Sequence, residues 1–92
     1  MGNGNLRAKH ANTITKLFNA ARSADEELIF TVSRDVNDET RSAFALAVFE
    51  SGVPGKEIAF DLLKSVRDPK LAVRSATVCI MLHNIANGNE NV

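Results

Sequence analysis

Cys79 and His83 stand four residues apart, the spacing that puts two side chains on one face of a helix and lets an imidazole act as base for a thiol. Cys79, however, lies inside Val78-Cys79-Ile80-Met81-Leu82, where a small hydrophobe is expected in a core. No glycine is placed to build an oxyanion site and no third group is evident to orient the imidazole. The pair therefore reads as structural filler. The other histidine, His10, has no companion cluster of cysteine or histidine, so no metal site is expected. The run Asp25-Glu26-Glu27 is explained by the helix dipole, which favours acids in a first turn. With no phosphate-binding glycine loop, carboxylate pair or serine motif, the sequence offers no catalytic, cofactor-binding or metal residues, and the expectation is a protein that is not an enzyme.

Other polar residues recur instead. Arg34-Asp35 is followed after five residues by Arg41-Ser42-Ala43, and Arg67-Asp68 after five residues by Arg74-Ser75-Ala76, an echo at a distance of 33 residues. Apolar runs flank each copy, so the repeated unit is apolar segment, polar joint, apolar segment, which is how stacked helix pairs are written. Asp35, Arg41, Asp68 and Arg74 are expected to form the polar joints of two hairpins, with Asp68 capping its helix and Pro69 at the first helical position.

The elements that must hold those joints follow from periodicity. A first helix follows Asn12 as N-cap, with Ile14, Leu17, Phe18 and Ala21 on one face. A second begins at Ser23-Ala24-Asp25-Glu26, which has the form of a capping box, and turns Leu28, Ile29 and Val32 inward. Ile29-Phe30-Thr31-Val32 is also strand-prone, but no second strand offers itself as a partner. A third runs from between Asp35 and Asp38 to Ser51-Gly52, and a fourth from about Lys56 to Val66. The fifth starts at Pro69, and its stretch from Ala76 to Leu82, apolar almost all round, is the expected centre of the core. Residues 1–11 and 87–92 lack such periodicity and are expected to be mobile, leaving one domain over residues 12–86.

The stretch from Leu62 to Ala76, with Leu82 and Ile85 beyond it, resembles a HEAT repeat through Asp68, Val73, Arg74 and Ala76; Asp35, Arg41 and Ala43 match without the proline. That resemblance implies a binding scaffold that recognises another macromolecule. Ile14-Thr15-Lys16-Leu17-Phe18, Gly52, Lys56-Glu57-Ile58 and Leu62-Leu63 are similar to the pattern of the small enterobacterial connector proteins that regulate biofilm formation and acid resistance. In addition, Val48, Gly52 and Ile58 have the spacing of a helix-turn-helix, in which residues 56–66 would read DNA, although Glu57 and Asp61 would turn negative charge toward phosphates.

Composition sets the remaining bounds. Of 92 residues, 45% are apolar and 24% charged, which suits a single globular domain and excludes wholesale disorder. One cysteine cannot make an internal disulfide, and no apolar run is long enough to span a membrane, so a cytoplasmic protein is expected. The net charge of zero hides a basic start, with Arg7, Lys9, Lys16 and Arg22 before any acid, and an acidic middle from Asp25 to Asp61. Such segregation lets the basic segment lie on the acidic stretch of its own or a sister chain. The expected fold is all-α, a compact bundle of about five short helices forming two HEAT-like antiparallel hairpins plus an N-terminal helix. The expected function is a regulatory or adaptor module that binds a protein partner. Phe44, Phe49, Ile80 and Leu82 are the candidate interaction surface, and a homodimer is expected there because a small domain rarely leaves a large apolar patch in water. The alternative is a small DNA-binding or transcription-modulating regulator, disfavoured by the charge balance.

Overall fold

A computed structural model describes residues 7–88 of the chain, and these are helical almost throughout, with no strand among them. Residues 7–9 are helical; then come α1 (Ala11–Ser23), α2 (Glu26–Ser33), α3 (Asp38–Ser51), α4 (Lys56–Ser65) and α5 (Pro69–Ala86). The segment Leu28-Val32 is thus helix and not strand. Its cap decides the matter locally: the Asp25 carboxylate accepts the Leu28 N–H at 3.1 Å, and Glu26 and Glu27 complement the dipole.

α5 is the hub. It packs against each of the other four helices, most extensively against α4. α1 also packs on α2, and α3 on α4, while the Phe18 and Phe44 rings, 5.4 Å apart, bridge α1 to α3. Leu17, Ile29, Phe44, Leu63 and Ile80, one from each helix, are fully or almost fully buried and meet at the centre. The hydroxyls buried among them stay within their own helices: Thr77 donates to the Val73 carbonyl at 2.7 Å and Ser33 to the Phe30 carbonyl at 3.1 Å.

Several ends differ from expectation. Asn12 is not the N-cap of α1, because the Ile14 N–H already bonds the His10 carbonyl at 3.0 Å and His10 takes the cap position. Residues 7–9 of the segment expected to be mobile are helical, whereas residues 1–6 and 89–92 lie outside the described residues. The capping box at Ser23 does not form either. Ser23 is the last residue of α1; Ala24 turns left-handed (φ 56°) and the Asp25 N–H closes back on the Ala20 carbonyl at 2.9 Å, so Asp25 begins α2.

Of the two expected hairpins, the one over residues 56–86 has its helices in contact, α4 against α5. In the other, α2 and α3 do not pack together; α2 leans on α1 and α5 and α3 on α4 and α5. The reason lies in the joint. Asn37 is fully extended (φ −125°, ψ −171°) and Val36 is buried, which leads the chain away from α2 before α3 begins.

Candidate functional site

The four expected joint residues part company. Asp68 does what its position requires, its Oδ1 accepting the Lys70 N–H at 3.2 Å at the start of α5, with Pro69 in the first turn. Asp68 and Arg74, though both expected at this joint, do not bond each other. Arg74 instead lays its guanidinium over the Phe30 ring of α2, 4.4 Å from the centroid, and its Nε is buried without a hydrogen-bond partner. Asp35 lies exposed in the turn after α2 and caps nothing. Asn37 is the cap of α3, and its Oδ1 accepts from both the N–H and the hydroxyl of Thr40, each at 2.9 Å. Arg41 donates to Asp38 at 2.6 Å and across to the Val66 carbonyl at 2.8 Å, so it binds the joint between α4 and α5 and not Asp35.

Part of the charge segregation is met within the chain. Arg7 pairs with Glu50 of α3, and Lys9 and His10 both reach Glu39, at 3.0 Å and 2.7 Å. The hydrogen bonds from His10 and from Lys9 hold the Glu39 carboxyl below its usual value. Arg7 and Glu50 also face each other across a cleft of about 550 Å³ between α1 and α3, lined further by Ile14, Phe18 and Ala47. Its only charged groups therefore bond each other.

Cys79 and His83 do share a face of α5, with Sγ 3.6 Å from Nδ1. That nitrogen is 2.9 Å from the Cys79 carbonyl oxygen, which can only accept, so Nδ1 carries a proton and gives it to the backbone. The thiol has no base there, and burial pushes its pKa up, away from the nucleophilic thiolate. The ring also abuts Gly55, the N-cap of α4, which is left-handed (φ 76°) and whose absent Cβ would lie 2.6 Å from Nδ1.

Of the four residues expected to form an interaction surface, two are corrected. Phe44 and Ile80 are buried in the core, held there by Phe18 of α1 and by the helices around α5. Phe49 is exposed but belongs to a patch between α3 and α4: it stacks on Phe60 at 5.7 Å, with Lys56 over its own ring at 5.1 Å and Lys64 over Phe60 at 5.0 Å. Leu82 alone lies where an apolar surface is open.

That surface is the outer face of α5. Leu71, Ser75, Val78, Leu82 and Ile85 follow at spacings of four, three, four and three residues, so they form one strip opposite the buried Val73, Ala76, Thr77 and Ile80; Leu71, Leu82 and Ile85 are exposed, and Ser75 and Val78 between them are half-buried, Val78 against the core. Phe30 of α2 borders the strip beneath Arg74. Ile58 of α4 is half-exposed as well, and lies on the side of that helix away from Phe60, which faces Phe49 of α3. Phe30, Ile58, Leu71, Leu82 and Ile85 are each between 46% and 56% exposed. No protein-family model, curated protein or solved structure matches the chain.

Proposed function

We propose that this chain is a non-enzymatic binding module, regulatory or adaptor in role, that recognises a protein through the outer face of α5 and its border on α2. The observation that supports it is the gathering of Leu71, Leu82 and Ile85, each about half exposed, on one face of α5 with Phe30 of α2 beside it. Scattered surface leucines need no explanation, whereas a contiguous apolar face carries a standing cost in water that a partner removes. The resemblance of residues 62–76 to a HEAT repeat, carried by Asp68, Val73, Arg74 and Ala76, implies the same kind of role.

A photo-reactive side chain at position 82, compared with one at the exposed Lys16 of α1, tests the reading in living cells. Cross-linked species are expected from position 82 and not from position 16. Equal yields from both, or none from position 82, would remove the face as a binding surface.

A further inference from the structure

We infer that the occupant of this face is a second copy of the same chain, docked α5 against α5 in antiparallel fashion about a two-fold axis. The inference rests on the binding reading above and names its partner.

The strip has the four-three alternation of a coiled-coil seam, with Leu71, Val78 and Ile85 at one heptad position and Ser75 and Leu82 at the other. Such a seam meets its match in another helix carrying the same spacing, and α5 itself supplies it. In the antiparallel register centred between Ala76 and Thr77, Leu71 packs on the partner's Leu82 and Ser75 on the partner's Val78. The symmetry repeats both contacts.

Charge selects the direction. The formal charges of α5, Lys70 and Arg74, both lie in its first six residues, and its second half carries none apart from His83. A parallel pair would set these cations side by side. An antiparallel pair sets Lys70, with exposed Arg67 just before it, against the carbonyl end of the partner helix, where the dipole is negative. Two cations outside α5, Arg7 and Lys9, are already paired inside the chain.

The size also fits. A standard interface takes about 800 Å² from each partner, roughly one seventh of the 5520 Å² this chain exposes. α5 is about 27 Å long at 1.5 Å per residue, and its flanks on α2 and α4 widen the face to roughly 20 Å, which is of that order.

Sedimentation equilibrium at tens of micromolar tests the proposal on four chains: wild type, Leu71→Lys, Leu82→Glu and the double variant, with circular dichroism as a check on folding. The wild type should have twice the 10.0 kDa monomer mass, each single variant the monomer mass, and the double variant should recover the dimer, because each new lysine then faces the partner's new glutamate. A monomeric wild type would overturn the second copy as occupant, and cross-linking from position 82 then decides separately whether the face binds another protein. A dimer indifferent to both single changes would place the contact elsewhere. A double variant that stays monomeric would overturn the antiparallel register. Should Leu82→Glu lose helix, Leu82→Ser serves in its place, with the same loss of dimer expected.

Discussion

The guanidinium of Arg41, in the first turn of α3, donates to the carbonyl oxygen of Val66 at 2.8 Å, where α4 has ended and the chain turns toward α5. Carbonyls at a helix C-terminus lack partners in their own helix and carry negative partial charge, so a cation from another element is well placed there. Replacing Arg41 by Ala leaves that carbonyl unpaired in a partly buried site and should cost about 1 to 3 kcal/mol. Lysine, a single point donor, cannot hold Asp38 and Val66 together and should recover only part of the loss. Urea denaturation of the three chains measures it.

Caps make a sharper contrast. Asp68→Ala and Asn37→Ala should each destabilise by about 1 kcal/mol, since both side chains accept a first-turn N–H, whereas Asp35→Ala, which caps nothing, should lie within about 0.5 kcal/mol of wild type. Equal effects at positions 35 and 68 in thermal unfolding would contradict the assignment of the caps.

Gly55 is required twice, by its left-handed backbone and by the His83 ring 2.6 Å from where a Cβ would stand. Gly55→Ala should therefore cost more than the roughly 1 to 2 kcal/mol of the backbone term alone. Adding His83→Ala removes the clash but not the backbone strain, so the double variant should be less destabilised than the sum of the two single changes. A double-mutant cycle in denaturant reads this coupling directly.

Glu39 should titrate below its usual value of 4.5, because His10 and Lys9 hold its charged form. A carboxyl depressed on folding contributes stability above its unfolded pKa, and that contribution is lost as pH falls through the folded value. The Glu39 side-chain carbon resonance should show the low midpoint. His10→Ala and Lys9→Ala should each raise it, and added salt should narrow the difference, since the group is exposed.

The helices were legible because their signals are local: Asp68-Pro69 at a start, Gly52 at an end, and Ile14, Leu17 and Ala21 along one face. The joints were legible only as sites of polarity. Which partner Arg41 or Arg74 takes depends on the neighbouring helix, and the extended Asn37 sends α3 away from α2 with no distinctive residue to announce it. The exposed apolar face of α5 was half visible. Phe44 and Phe49 are five residues apart, about 140° around a helix, so they cannot both face one partner. The run from Ala76 to Leu82 reads as wholly apolar until it is divided by the 71–75–78–82–85 spacing, which leaves Ala76 and Ile80 inside and Leu82 outside. His10 gave no signal, because its place is set by Glu39, 29 residues away.

That every other helix leans on α5 bears on how the chain is made. A ribosome delivers α1 to α4 before the helix that covers them, so Leu17, Ile29, Phe44 and Leu63 emerge without the surface on which they meet. The nascent chain must then keep these apolar stripes apart from one another's wrong partners until Pro69 and the residues after it are free. Completion of the core therefore awaits α5, and a chain cut before Pro69 is expected to lack most of the packing that joins the α1–α2 pair to the α3–α4 pair.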